Sequence, residues 1–324
     1  MSDIKLFRTN GETVTQLEGQ SVALEKSLQK LIERHLDIFL GIRFLATEYS
    51  TGKTHGGRID TLGIDENGCP CIIEYKRSSN ENVINQGLYY LDWLLDHRGE
   101  FELLVLKTLG AEAAENIEWS SPRLLCIAGG FTKYDGHAVS QINRNIELLR
   151  YLRFGDELLL LELVNAVQAK SLVEVGTTAP IEILVEANTT EEVESAIRAR
   201  NKARQKDKSV SEQMLSASPE LLDLFGSLEA MCMSFGDDVQ MKMLKLYVAF
   251  KRLKNFATAE VRAGTNCLAV FVKLDPDMIA LEEGFTRDVR NIGHWGTGDL
   301  EIMIRSQNDL EKALPLLQAS YEGS

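Results

Sequence analysis

The chain has 324 residues, 44% of them hydrophobic and 26% charged, which is enough for two domains with separate cores. Its formal net charge of −13 argues against bulk electrostatic attraction to nucleic acid, while leaving room for a local basic surface or a metal that bridges to phosphate. No apolar run approaches the roughly 18 residues of a bilayer span, and five scattered cysteines, odd in number and without zinc spacing, exclude a disulfide frame and a zinc site. With no signal-peptide core in Met1-Ser2-Asp3-Ile4-Lys5, the expectation is a cytoplasmic protein with no membrane partner.

Residues 1–18 read as short strand or loop, with Ile4, Leu6 and Val14 pairing at a sheet edge. Ser21 is placed to cap a helix from about 22 to 35, whose apolar stripe is Leu24, Leu28, Leu31 and Ile32, with Glu25 and Gln29 beside it. A strand follows over Phe44–Tyr49. The polar, glycine-containing loop from Ser50 to Gly57 then offers Lys53 and His55, with Arg58 just beyond, as phosphate contacts; an ordinary flexible loop explains the same residues.

Residues 56–76 are the centre of the reading. Ile59, Leu62 and Ile64 mark one strand, and Cys71, Ile72 and Ile73 another. Asp65-Glu66-Asn67-Gly68 between them is a turn signal, because Asn and Gly tolerate the positive φ of hairpin turns. Folding the chain about Asn67 sets Asp60 opposite Glu74. Cβ atoms of such a pair lie about 4.5–5.5 Å apart on one face. Two carboxylates that close repel, so one protonates unless a cation sits between them. Lys76, two residues on, shares the face of Glu74. Two hard oxygen ligands and an ammonium suit metal-assisted phosphodiester hydrolysis with Mg²⁺ or Mn²⁺. The bland alternative is a surface hairpin with solvated charges; the apolar run leading into Glu74 argues against it.

After Arg77, a further candidate nucleic-acid contact, the spacing predicts a helix over about 81–97, with Val83, Leu88, Leu91, Leu94 and Leu95 inward and Gln86 and Tyr90 sharing a face. The set Asp60…Glu74-Tyr75-Lys76 resembles the PD-(D/E)XK nuclease superfamily. Gly57-Arg58-Ile59-Asp60 and Ile73-Glu74-Tyr75-Lys76 are most similar to its NucS-type endonuclease branch. Ile59 stands where the superfamily's name has proline. The resemblance runs from about residue 20 to about 165. It implies metal held by Asp60, Glu74 and the carbonyl of Tyr75, charge stabilised by Lys76, a further acid at Glu25, and support from the Gln86…Tyr90 signature. It also implies DNA as substrate and a homodimer as the common assembly.

Further on, Phe101–Leu106 and Arg123–Ala128 read as strands, about 136–149 as a helix, and Tyr151–Phe154 and Asp156–Val164 as closing strands. The expected fold class is α/β: a restriction-endonuclease-like mixed sheet flanked by helices over 1–168, plus a second, smaller α/β or α+β domain over 219–324. Residues 169–218 form the linker, with one or two strands in Val173–Val185 and then a charged helix. That helix ends in Arg198, Arg200, Lys202, Arg204, Lys206 and Lys208, either a solvated face or a DNA-backbone contact.

In the second domain the first helix starts at Pro219, and Val239–Phe250 is a helix or strand. Strands are expected over Ala257–Arg262, Cys267–Leu274 and Leu300–Ile304, with a closing helix over Leu310–Tyr321. The Phe285–Gly296 stretch is either a recognition loop or a place where Trp295 plugs the core. This segment resembles an uncharacterised domain fused to such nucleases and sometimes labelled a predicted transport protein; nothing in it is membrane-like. The leading function is a Mg²⁺- or Mn²⁺-dependent nuclease acting on DNA. The alternative is a catalytically idle nucleic-acid-binding or defence-associated interaction module, which the acidic charge favours.

Overall fold

A computed structural model describes residues 4–20, 25–52, 56–76, 83–155, 157–167 and 208–324. The N-terminal unit is a seven-stranded mixed sheet. Its strands are β3 (Gly19–Gln20), β4 (Ile42–Ser50), β5 (Arg58–Asp65), β6 (Pro70–Lys76), β7 (Arg123–Ala128), β8 (Asn145–Phe154) and β9 (Leu158–Val167). Strands β4, β5 and β6 form an antiparallel meander, β6, β7 and β8 run parallel, and β9 returns antiparallel on β8. Helices α1 (Glu25–Arg34) and α2 (Leu36–Leu40) cover one face. The other face carries α3 (Val83–Asp96), α4 (Arg98–Leu109), α5 (Ala111–Glu115) and α6 (Lys133–Ser140). This is an α/β layer arrangement, a mixed sheet with helices on both faces. Burial on both sides is why β6 and β7 read as continuous apolar runs.

Two elements differ from the sequence expectation. Phe101–Leu106 is not a strand but the middle of α4, where Phe101 and Val105, one turn apart, enter the core. Leu103 and Leu106 stay exposed, so an all-round apolar run concealed the helical period. The helix drawn over 136–149 stops at Ser140, and Asn145 already opens β8 against β7. A capping box between Thr132 and Asp135 starts that helix. Residues 1–18 hold a separate hairpin, β1 (Leu6–Thr9) with β2 (Val14–Leu17). Among the described residues no helix is long and apolar enough to cross a membrane.

The C-terminal unit is a six-stranded antiparallel sheet, β10 (Gln240–Met243), β11 (Val248–Lys251), β12 (Asn255–Arg262), β13 (Cys267–Val272), β14 (Thr286–Asp288) and β15 (Leu300–Ile304). The stretch Val239–Phe250 is thus a hairpin, and β14 had no signal in the sequence. Helices α7 (Val210–Leu215), α8 (Pro219–Met233) and α9 (Gln307–Glu322) contribute to the core on one face. Ser218 caps α8 and Pro219 occupies its first turn. Most of the linker drawn over 169–218 lies outside the described residues, whereas Val210 of α7 packs into the C-terminal core.

The opposite face of this sheet receives the turn of the β5–β6 hairpin. Asn67 Oδ1 accepts from Asn255 Nδ2 at 2.7 Å and from Tyr247 at 3.0 Å, and Lys273 reaches Glu66 at 2.7 Å. Beneath the turn lies a buried charge set. Arg123 donates to Asp65 at 2.9 Å and by two bonds of 2.8 Å to Glu147; Lys251 from β11 reaches Glu147 at 3.2 Å. Burial by itself raises Glu147, but Arg123 and Lys251 outweigh it and hold its carboxyl at about 2. Asp65 is likewise lowered, with Lys242 and Arg123 overcoming the burial. Gly68 needs its glycine: at φ +77 an added Cβ would fall 2.4 Å from the Asn116 carbonyl oxygen.

Candidate metal-binding carboxylate site

The hairpin register is the one the turn predicts. Thr61 faces Ile73, Leu62 faces Ile72 and Gly63 faces Cys71. One step further the ladder gives way to side chains. The Asp60 N–H donates to Glu74 Oε1 at 3.2 Å, and the Tyr75 N–H donates to Asp60 Oδ2 at 3.0 Å. Each carboxylate therefore reaches across to the other strand, which brings the two acids together at the end of the hairpin. The Tyr75 ring packs with α1 and α2 on the far side.

Glu74 is fully buried, in the middle of the sheet beside Cys126 of β7. Its Oε2 has no hydrogen-bond partner. Burial, and then the negative charge of Asp60, push its carboxyl up to about 9, with Lys76 pulling the other way. Without a cation, Glu74 carries a proton at neutral pH. An orphaned buried carboxylate oxygen beside a second acid is the donor set a hard cation fits. Among the described residues the candidate ligands at this position are these two acids and main-chain oxygen; the side chain of Glu25 lies outside the described residues.

Gln86 and Tyr90 do come together, but not on the carboxylates. Gln86 Nε2 donates to the Tyr90 hydroxyl at 3.2 Å, and that hydroxyl accepts from the Arg58 N–H at 3.1 Å. The pair thus fixes the chain two residues ahead of Asp60. Gly57 makes the approach feasible, because a Cβ there would lie 2.6 Å from the Tyr90 ring.

On the other side, buried Gln29 donates to the Asp60 carbonyl at 2.8 Å and lies 3.2 Å from the Thr47 hydroxyl. Glu33 accepts from Thr61 at 2.6 Å. Thr47 and Thr61, cross-strand partners, therefore face α1. Tyr49 and Ile59, the partners two residues on, instead pack on the α3 side, where Tyr49 lies 5.6 Å from Trp93. Both strands turn over at the intervening level, which is Glu48 on β4 and Asp60 on β5. Glu48 makes the reversal with a φ of 50°, in the left-handed region.

The structure thus brings Asp60, Glu74, the Tyr75 backbone and Lys76 into one place, and Gln86 and Tyr90 to its rim. Glu25 opens α1, with its side chain outside what is described; Gln29, one turn later, makes the contact with Asp60. Lys53, His55, Arg77, Arg198, Arg200, Lys202 and Arg204 also lie outside the described residues. Arg58 is exposed and pairs with Glu48 at 3.5 Å. Sequence reasoning missed Glu48. Its only signal was the register of β4 against β5, and the bulge near Phe44–Ala46 hides that register. Trp295 does not plug the core; it is half-buried and lines an interdomain groove with Tyr247 and Lys245, while His294 stacks on Phe271 at 4.3 Å.

Residues 210–324 match a family described as a domain of unknown function, DUF5655. An uncharacterised protein of Haemophilus influenzae is 28% identical over 321 residues, covering 98% of this chain and 100% of its own length. Among solved structures, a complex of EndoMS with double-stranded DNA aligns with 40% of this chain at 18% identity and a TM-score of 0.24. The aligned part spans 47% of that chain.

Proposed function

We propose that the N-terminal domain is a Mg²⁺- or Mn²⁺-dependent nuclease that hydrolyses phosphodiester bonds in DNA. The observation that carries this reading is the Asp60–Glu74 pair, with a buried, unpartnered Glu74 oxygen and an ammonium close enough to act on it. Asp60, Glu74 and the Tyr75 carbonyl would hold the divalent ion, which would supply an acidified water and polarise a phosphoryl oxygen. To hold such an ion Glu74 would have to be ionised, and burial and the facing Asp60 are what keep the proton on it. Lys76 stabilises negative charge developing on the phosphoryl group. Gln29 and the Gln86–Tyr90 pair hold the backbone on either side of Asp60, so that its carboxylate keeps one position.

The test is cleavage of single-stranded, duplex and branched DNA with Mg²⁺ or Mn²⁺, beside an Asp60→Ala/Glu74→Ala variant. Equal activity in that variant sinks the assignment. A second reading, a nucleic-acid-binding module that keeps the fold without turnover, is favoured by the acidic charge of −13. Calorimetric titration with Mn²⁺ separates the two, because a retired site has no need to bind the ion.

A further inference from the structure

Above the carboxylate pair lies a small charged group that the proposed chemistry does not use. Glu48 faces two cations, Lys26 Nζ on one oxygen and Arg58 Nε on the other, each at 3.5 Å. The three residues come from α1, β4 and β5. Lys26 and Arg58 are 73% and 65% exposed, while Glu48 is 30% exposed. Glu48, Arg58 and the Gly56-Gly57 pair line a cleft of about 530 Å³. Glu48 sits at the level of Asp60 in the β4–β5 register, and its charge acts on Glu74. The cleft therefore opens beside the site, at the strand level of Asp60.

We infer that Glu48 is an internal counter-ion for Arg58 and Lys26, and that a nucleic-acid phosphodiester entering the cleft displaces it and takes both cations. Three features carry this. First, the ion pairs are long and solvated, so each is weak and readily exchanged. A phosphate offers a guanidinium two parallel hydrogen bonds, a better match than one oxygen at 3.5 Å. Second, Arg58 is fixed at its backbone and exposed at its tip. Tyr90 holds its N–H and packs on Gly57, while the guanidinium stands in solvent. Third, the backbone of Glu48 is set in the left-handed region between two regular cross-strand pairs, which fixes the base of its side chain at the rim. Exchange thus needs only side-chain rotation. In a chain of net charge −13, parking the two cations on Glu48 keeps them at the mouth until a phosphate arrives.

The inference rests on the nucleic-acid reading of the site but not on turnover, so the experiment measures binding. Full-length protein is titrated with fluorescein-labelled single-stranded and duplex oligonucleotides, with Ca²⁺ replacing Mg²⁺, at several salt concentrations. Glu48→Gln is expected to tighten binding about threefold to tenfold. Arg58→Gln should weaken it and lower the salt slope by about one. In a Lys26→Gln/Arg58→Gln background, adding Glu48→Gln should change affinity less than about twofold, because nothing remains to release. An equal gain in that background would show Glu48 to be only a repelling charge and would overturn the inference, as would no gain at all or no binding by the parent. Cleavage assayed in parallel keeps the two readings apart. Cutting without the coupling removes this inference alone; coupling without cutting removes the nuclease assignment and leaves a phosphodiester-binding cleft.

Discussion

Replacing Glu74 with Gln should stabilise the metal-free protein, and increasingly so as pH rises. In the folded state burial and Asp60 hold the Glu74 carboxyl up at about 9, whereas an unfolded chain leaves it at an ordinary value near about 4.5. Between those two values the folded state binds the extra proton, so stability falls as pH rises. The slope is about 1.4 kcal/mol per pH unit, giving a penalty of order 3 kcal/mol at pH 7 and of order 6 kcal/mol at pH 9. A glutamine keeps the size and hydrogen-bonding capacity of the side chain without that ionisation. The assay is urea unfolding of both proteins in chelator at pH 5, 6, 7, 8 and 9. The curves should nearly meet at pH 5 and separate steadily above it, and Mn²⁺ should narrow the gap by binding only the parent. Parallel profiles across the whole range would refute the view that Glu74 is held in the fold as a strained acid.

Further expectations follow from other contacts. Tyr90→Phe removes the acceptor for the Arg58 N–H and should cost about 1–3 kcal/mol, with kcat on DNA falling more than thermal stability explains. Gly57→Ala should give a similar kinetic loss, read by the same cleavage assay, because the added methyl carbon meets the Tyr90 ring. Arg123→Met strands Asp65 and Glu147 among buried groups and should destabilise by about 3–5 kcal/mol in denaturant titration. In the parent, Glu147 is lowered to about 2, so its contribution is complete above its unfolded value and is lost as pH falls toward 2; an acid-unfolding curve should show this loss, and Glu147→Gln should flatten it.

How much of this could be read from residues alone differs from element to element. The hairpin register was legible because one strong turn signal, Asp65–Gly68, and two short apolar strands leave a single way to pair Asp60 with Glu74. Strand β7 was legible to the residue because, after Arg123, burial on both faces makes Leu124–Ala128 an unbroken apolar run. The same logic failed at Phe101–Leu106, where an apolar run on a partly exposed helix imitates a buried strand. Gln86 and Tyr90 were found as a pair, but their target was not. Only the fold shows the hydroxyl on the Arg58 amide. Glu48 depends on a positive φ and a pleat reversal, neither of which leaves a residue-type signal. The buried set of Arg123, Asp65, Glu147 and Lys251 is assembled from four strands of two units, so no local window contains it.

That shared set bears on any attempt to cut the protein into pieces. Lys251 and Lys242 come from the C-terminal sheet, while the acids they face lie under the hairpin turn, about 17 Å along β5 from Asp60 at the strand rise per residue. Deleting residues 208–324 removes two positive charges from a closed interior and opens Arg123, Asp65 and Glu147 to water. The remainder is then a damaged protein, and a failure of it to bind or cut DNA says nothing about what the C-terminal half contributes. Calorimetry of the intact chain should show one melting transition, and the informative dissection is by point substitution on the outer surface of each half.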